Sequence, residues 1–217
     1  DLITAMLVIV EKIFKTRKWE GSLLRKINPI RLVGIWKEGY ALDYHSIASE
    51  FIGIDEWGHN RFQTTRSYLG ELLYQFKYNQ DREKLAEIIS LITQFISRWN
   101  AIKEVDVVLP VPPSNRNRTF QPVFELSEQI ADYLRVPSYN DILEKTNAAQ
   151  AKNLNKFDKS EISGSIVRKK RFLKLVNILV VDDLYSSGTT LHETVRVLKT
   201  DENVKNVYVL TITKTRR

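Results

Sequence analysis

One segment of this 217-residue chain constrains its fold more than any other, because it joins a strand, two acids and the start of a helix. The apolar run Val176–Val181 predicts a buried strand, and Asp182 and Asp183 follow it directly. A loop of mostly small residues, 184–190, then opens a segment with the apolar spacing of a helix. Such a junction brings backbone N–H groups, hydroxyls and the positive end of a helix dipole to one point. The segment therefore predicts an anion site, and phosphate suits it best.

The two acids indicate what accompanies the phosphate. Carboxylates repel a phosphate, but they accept hydrogen bonds from sugar hydroxyls. Gly188 would let the backbone approach a ligand closely, so a ribose phosphate fits the segment. The alternative is that the acids merely end a strand and that Ser187 or Thr189 merely caps a helix; the complete Ser-Ser-Gly-Thr-Thr run favours the ligand. The chain has no G-x-x-x-x-G-K-[ST] motif, which excludes a P-loop.

After the first 67 residues the chain is helical and then alternates between strand-like and helix-like segments. We predict helices over about 69–76, 85–99, 121–134 and 190–199, and strands over 105–109, 176–181 and 204–213. Continuous apolar strands alternating with helices are typical of a parallel sheet covered on both faces. Ligands of such sheets bind at the carboxyl ends of the strands. The fold class is therefore α/β, with a parallel sheet flanked by helices.

The first part of the chain reads differently. Residues 31–65 look β-rich, with a strand over Arg31–Trp36 and a turn at Lys37–Gly39. Aromatic side chains in this segment are expected in the core, namely those of Trp36, Tyr40, Tyr44, Phe51, Trp57 and Phe62. We divide the chain into an N-terminal β-rich extension, residues 1–67, and a core, residues 68–217, whose segment 138–170 is polar and irregular.

Composition narrows the classes of function. The chain has no cysteine, which excludes disulfides and thiolate metal sites, and three histidines argue against a His-rich metal site. A net charge of +7 indicates an anionic partner, either a phosphorylated small molecule or nucleic acid, or simply a basic surface. The apolar run Leu2–Val10 is too short for a bilayer, which needs about 20 residues. We expect a cytoplasmic protein without a membrane partner.

The segment 178–190 resembles the binding motif for phosphoribosyl pyrophosphate (PRPP) of type I phosphoribosyltransferases. Four apolar residues, two acids, three further residues and Ser-Gly-Thr-Thr match that motif. The resemblance implies the fold of that family, with Asp182 and Asp183 as catalytic residues on the ribose hydroxyls. It implies a 5-phosphate site made by Ser186, Ser187, Gly188, Thr189 and Thr190.

Two further segments are similar to the ComF-like branch of that family. Leu109–Gln121 resembles its pyrophosphate loop, in which a Pro-Val-Pro turn leads to basic residues and a Phe-Gln pair. The resemblance implies a diphosphate site made by Pro112, Pro113, Ser114, Asn115, Arg116 and Arg118. Alternatively, the two arginines are solvated loop charges. Glu144–Leu154 resembles the hood of that branch and implies that Lys145, Thr146 and Gln150 cover the site. Gln75–Tyr78 resembles its Leu-Lys-Tyr helix.

The resemblance implies transfer of ribose 5-phosphate from PRPP to an unidentified nitrogenous base, with release of diphosphate. It implies Mg²⁺ as cofactor, held mainly through PRPP rather than by protein side chains. Two departures stand out: the Cys-rich zinc ribbon of many ComF-like proteins is absent, and Lys159-Ser160-Glu161 replaces the usual hood arginine. The alternative is a non-catalytic PRPP- or nucleotide-binding protein with a regulatory or DNA-handling role. Two further partners stay open. One is single-stranded nucleic acid, for which the basic run Arg168–Arg171 is a candidate contact, and the other is a second copy of the chain in a homodimer.

Overall fold

The computed structural model describes residues 27–114, 119–146 and 165–216. Within these ranges the elements are β1 (Ile30–Arg31), β2 (Glu38–Tyr44), β3 (Ser46–Ile54), β4 (Asn60–Arg66), α1 (Tyr68–Asn79), α2 (Arg82–Ile96), a 3₁₀ turn (Asn100–Glu104), β5 (Val107–Pro110), α3 (Pro122–Leu134), β6 (Leu143–Lys145), β7 (Ile166–Arg168), β8 (Val176–Tyr185), α4 (Thr189–Leu198) and β9 (Val204–Lys214).

A five-stranded sheet with the order β1-β2-β9-β8-β5 forms the centre of the fold. The pairs β2–β9, β9–β8 and β8–β5 are parallel, and β1 is antiparallel at the edge. Alternate residues of β8 enter two separate cores: Leu179 and Val181 pack on the side of α1, α2 and α3, whereas Ile178 and Val180 pack on the side of α4. The predicted fold class, a mostly parallel sheet flanked by helices, is confirmed.

Strand β8 is longer than predicted. It continues past Val181 to Tyr185, because β9 runs beside it in parallel register as far as Lys214. Asp182 lies opposite Thr211 in this ladder. The two acids therefore belong to the strand itself and do not follow its end.

The predicted strand over Arg31–Trp36 is wrong, as is the turn at Lys37–Gly39. The chain leaves the sheet after Arg31, and Trp36 turns inward, where its indole Nε1–H donates to the carbonyl of Leu32 at 2.8 Å. Strand β2 begins at Glu38 and pairs with β9 in the central sheet. Two strands of the predicted extension, β1 and β2, are thus built into the central sheet; the division of the chain at residues 67 and 68 stays a prediction.

The hairpin β3–β4 corrects part of the aromatic prediction. Trp36 is buried and Tyr40 packs against the core, as expected. The rings of Phe51 and Phe62 instead pair across the hairpin at 5.8 Å and remain 57% and 55% exposed, and Trp57 at its tip is 75% exposed. An antiparallel pair without a covering layer leaves both of its faces to solvent.

The described parts of the polar segment 138–170, residues 138–146 and 165–170, contain two strands that the composition did not indicate. Strands β6 and β7 pair antiparallel, and Glu193 of α4 accepts a hydrogen bond from the Ile166 N–H at 2.8 Å, which ties this small sheet to the body. Most of the basic run is engaged by acids: Arg168 with Asp201, Lys169 with Glu144 and Lys170 with Asp141. No helix in the described part of the chain has the length and apolarity to cross a bilayer, and Leu2–Val10 lies outside that part.

The start of α1 is fastened to the end of β2. The Ser67 hydroxyl donates to the Tyr44 carbonyl at 2.5 Å and accepts from the Gly70 N–H at 2.9 Å, so it caps the helix and binds it to the sheet. A Cβ atom on Gly70 would lie 2.0 Å from the backbone oxygen of His45. The close approach of helix and strand therefore requires glycine at this position.

We expect Gly70→Ala to lower the free energy of unfolding by about 1–3 kcal/mol, because the added methyl group meets backbone and α1 must shift. Chemical denaturation of the variant measures this loss. Gln129→Ala, on the exposed face of α3, is the control and should stay within about 0.5 kcal/mol of the parent. Equal stability of both variants would show that α1 tolerates displacement.

Candidate functional site

A cavity of about 700 Å³ opens at the carboxyl edge of the sheet, where β5 and β8 end. Its walls come from α1, the loop after β5, the start of α3, β6 and the start of α4. Residues that line it include Lys77, Tyr78, Pro112, Pro113, Ser114, Phe120, Gln121, Lys145, Asp182, Asp183 and Thr190. A ligand at this edge is the general expectation for open parallel sheets.

The two acids reach the cavity from opposite faces of the sheet. Because side chains alternate along a strand, Asp183 lies on the face of Val181 and α1, and Asp182 lies on the face of Val180 and α4. The Asp183 N–H donates to Oδ1 of Asp182 at 2.9 Å. The neighbouring carboxylates thus lie at one strand end, with different surroundings.

The surroundings of Asp182 raise the pKa of its side chain. Burial, and after it the negative charge of Asp183, raise the pKa of Asp182 from 3.8 to about 7; the Asp183 N–H and the two lysines of the cavity, Lys77 and Lys145, oppose the shift. The first cause is the loss of hydration at the sheet edge, which disfavours the charged form. Some exposure to the cavity remains, so Asp182 can both reach a ligand and exchange a proton.

Lys77 is a residue of the site that the sequence prediction missed. Its Nζ lies 2.7 Å from Oδ2 of Asp183, with the two side chains 23% and 20% exposed. Lys77 follows Gly70 by about two helical turns, so it lies on the face of α1 that Gly70 brings against the sheet. The resemblance of Gln75–Tyr78 to the Leu-Lys-Tyr helix indicated this position, but it implied no function for Lys77.

The predicted diphosphate loop and the predicted hood meet at the cavity. Nζ of Lys145, on β6, donates to Oγ of Ser114 at 3.0 Å. Pro112 and Pro113 line the same wall. A cation and a hydroxyl are therefore joined where the resemblance implies a diphosphate. Thr146 instead belongs to the β6–β7 sheet, where its N–H donates to the Ser165 carbonyl at 2.7 Å.

The predicted phosphate loop forms the start of α4. Gly188 is the N-cap residue with φ +79°, and a Cβ atom there would fall 2.4 Å from the Tyr185 hydroxyl, so both the backbone and the space require glycine. Glycine has no side chain that could cap the helix. Ser187 and Thr189 are exposed, and their hydroxyls share a hydrogen bond of 3.0 Å.

The structure brings together only some of the predicted site residues. Within the described chain, Asp182, Asp183, Thr190, Pro112, Pro113, Ser114 and Lys145 line the cavity. Ser186, Ser187, Gly188 and Thr189 lie beside it at the start of α4. Asn115, Arg116, Arg118 and Gln150 lie outside the described residues.

The donor set of the cavity fits a metal that arrives on a ligand. Across residues 27–114, 119–146 and 165–216, no three side chains of His, Cys, Asp or Glu form a metal-binding cluster. Mg²⁺ usually keeps several waters and is bound largely through substrate phosphates. The cavity has the room and the positive side chains for such a complex, and we assign no residue of this chain as a direct metal ligand.

Comparison with known proteins supports the predicted resemblance. The chain is 27% identical over 135 residues to the competence protein ComFC of Bacillus subtilis (strain 168). The chain is ComF-like in sequence. The match covers 62% of this chain and 55% of that protein, so it spans about half of the relative's length. No family model matches.

The solved structures that resemble this chain include phosphoribosyltransferases at low identity. They include adenine phosphoribosyltransferase of Trypanosoma brucei in complex with AMP, pyrophosphate and ribose 5-phosphate (TM-score 0.46, 13% identity, 87% of this chain and 75% of that one). Orotate phosphoribosyltransferase of Aeropyrum pernix gives a TM-score of 0.43 at 12% identity, covering 73% and 71% of the two chains.

The raised pKa of Asp182 predicts that the ionised form of its carboxyl group lowers the stability of the folded protein. A folded-state pKa above the unfolded value means that the native protein loses stability as the pH rises from about 4 to about 7. We expect Asp182→Asn to raise the free energy of unfolding at pH 8 by about 1–3 kcal/mol, since each pKa unit corresponds to about 1.4 kcal/mol and the remaining exposure reduces the gain. The gain should shrink at pH 4.5.

Asp183→Asn is the matched comparison in the same denaturation experiment. It removes the partner of Lys77, so we expect no gain in stability from it at pH 8. Equal changes in the two variants would contradict the different surroundings of the two acids.

Proposed function

We propose that the cavity binds PRPP and that the chain transfers its ribose 5-phosphate to a nitrogenous base, with release of diphosphate. One observation carries this proposal: adjacent carboxylates, a helix start without a capping side chain and Lys145 all lie at one cavity at the carboxyl edge of a parallel sheet. The first group suits a vicinal diol, and the other two suit phosphate oxygens.

The ribose 5-phosphate half of the ligand binds on the side of the cavity that α4 forms. In this arrangement the 5-phosphate takes hydrogen bonds from the start of α4 and from the hydroxyls of residues 186–190, where the helix dipole favours a negative charge. Asp182 and Asp183 accept hydrogen bonds from the two ribose hydroxyls. The left-handed backbone at Gly188 lets this loop close around the phosphate.

The diphosphate half of the ligand binds at the opposite wall of the cavity. Lys145 and Ser114 contact each other there, and the rigid Pro112-Pro113 pair shapes the loop. We assign Asn115, Arg116 and Arg118 to the same subsite on the resemblance alone, and Thr146 and Gln150 to the hood. Mg²⁺, when bound with PRPP, would neutralise part of the diphosphate charge and make it a better leaving group.

The protein contributes to this reaction mainly by positioning the ligand and by stabilising charge. As the bond from the ribose C1 to the diphosphate breaks, C1 gains positive character, and the base nitrogen attacks it. Asp182 and Asp183 hold the ring, and Lys145 stabilises the negative charge that develops on the leaving diphosphate. Nothing in the described part of the cavity selects a particular base by a distinctive hydrogen-bond pattern, so the proposal names the acceptor only by its class.

A second candidate function is binding without transfer. The relative with the matching sequence is named a competence protein, which favours a regulatory or DNA-handling role. Nucleic-acid binding through the basic run has less support, because Arg168, Lys169 and Lys170 each contact an acid. The net charge of +7 still permits contacts elsewhere.

Replacing both acids should abolish PRPP binding without unfolding the protein. We expect no measurable heat of binding in calorimetry when Mg²⁺ and PRPP are added to Asp182→Asn/Asp183→Asn. Asp106→Asn is the matched control, because Asp106 is an acid just before β5, at the opposite edge of the sheet, and the amide oxygen of asparagine can accept the hydrogen bonds that Oδ2 of Asp106 accepts from the N–H and the side-chain amide of Asn177. Unchanged affinity in the double variant would overturn the site.

Turnover separates the two candidate functions. The protein is incubated with PRPP, Mg²⁺ and single nucleobases, and diphosphate release is measured. We expect release that depends on one class of base and that Asp182→Asn/Asp183→Asn lacks. If the protein binds PRPP tightly but releases no diphosphate with any base, the result favours the second function, which is binding without transfer.

A further inference from the structure

Lys77 contacts the site from outside every segment that the proposed function uses. It lies in the last turn of α1 and pairs with Asp183 at 2.7 Å. The pair is mostly shielded from solvent, with the lysine side chain 23% exposed and the aspartate 20%. Shielding strengthens an ion pair relative to one at the open surface.

We propose that Lys77 is a positioning residue for the sugar: its ion pair holds the Asp183 carboxylate as an acceptor directed at the cavity, so that the site prefers a phosphorylated ribose over phosphate alone. This inference rests on the proposed function, because it takes the cavity to bind ribose 5-phosphate. The inference gives a physical reason why the site would recognise the sugar, and the motif by itself gives no such reason.

The placement of Lys77 is fixed by the fold. Ser67 binds the start of α1 to the end of β2, and Gly70 lets the helix approach the backbone of His45. Leu69, Leu73 and Phe76 are fully buried on the inner face of the same helix. A helix held at its start and along its length delivers Lys77 to one position over β8.

The charge of the acid pair needs such a cation. Two adjacent carboxylates repel each other, and a pair without a counter-charge retains a proton. A protonated carboxyl group presents an O–H where the sugar needs an acceptor. Among the described residues, the cations that act on Asp182 are Lys77 from α1 and Lys145 from β6. His45, directly after β2, also interacts with Asp183, and burial lowers the pKa of His45, which favours its neutral form.

The geometry separates Lys77 from the phosphate subsites. Asp183 and Lys77 lie on the face of the sheet covered by α1, whereas α4 and its start lie on the other face. On the diphosphate wall, the lysine in contact with the loop is Lys145. Lys77 therefore acts on the ligand through Asp183.

Binding of two ligands tests this assignment. Affinities for ribose 5-phosphate and for inorganic phosphate are measured by calorimetry or NMR titration for the parent protein, Lys77→Met, Lys77→Arg, Asp183→Asn and the double variant Lys77→Met/Asp183→Asn. We expect Lys77→Met to weaken ribose 5-phosphate binding about tenfold, as for the loss of a charged hydrogen bond, and to leave phosphate binding unchanged. Lys77→Arg should retain the preference.

A double-variant cycle shows whether the lysine acts through the acid. We expect Lys77→Met to cause no further loss of ribose 5-phosphate affinity once Asp183 is asparagine, because the coupled partner is gone. The ratio of the two affinities should rise with pH through about 7 in the parent, since Asp182 must lose its proton before it can accept from a ribose hydroxyl with both oxygens. Its midpoint should move to higher pH in Lys77→Met.

The outcomes are distinguishable. If the parent protein binds neither ribose 5-phosphate nor PRPP, the proposed function fails and this inference fails with it. If the parent binds and Lys77→Met keeps the full preference, only the inference is overturned. Equal weakening of both ligands would make Lys77 a direct phosphate contact and also overturn it. Thermal unfolding checks each variant, and should Lys77→Met not fold, Asp183→Asn must show the same selective loss.

Discussion

The parallel pairing of β8 with β9 is the interaction on which the rest of this structure depends. The ladder runs from Val176 to Tyr185 and carries both acids out to the carboxyl edge of the sheet. Because it remains regular there, the two side chains take opposite faces. Asp182 shares its face with α4 and Asp183 shares its face with α1. A loop in place of this strand end would leave the direction of each carboxylate open.

Opposite faces give the acids unequal chemistry. Burial, and after it the negative charge of Asp183, raises the pKa of Asp182 to about 7, whereas the carboxylate of Asp183 has a lysine at 2.7 Å. Buried acids are costly in the folded state, and their presence at a cavity is typical of sites where function, rather than stability, determines the residue. The expected stability gain from removing one of them follows from the same cost.

The close contacts made by two glycines set the dimensions of the site. Gly70 brings α1 against β2 and with it Lys77 to the acids, and Gly188 starts α4 in the left-handed region beneath the Tyr185 hydroxyl. In both cases a Cβ atom would meet the neighbouring group at less than 3 Å. The walls of the cavity are therefore positioned by backbone approach as well as by side-chain packing.

The sequence by itself determined the α/β class, the helices after residue 67 and the positions of the acids and of the loop at Gly188, because apolar periodicity and local motifs are properties of neighbouring residues. Only the tertiary structure decided that β2 pairs with β9, that β8 continues to Tyr185, and that Phe51, Trp57 and Phe62 stay exposed; each depends on which distant segment lies alongside. The same holds for Lys77. It stands 106 residues before Asp183, and no local pattern states that a helix fastened at Ser67 will place its charge over the end of β8.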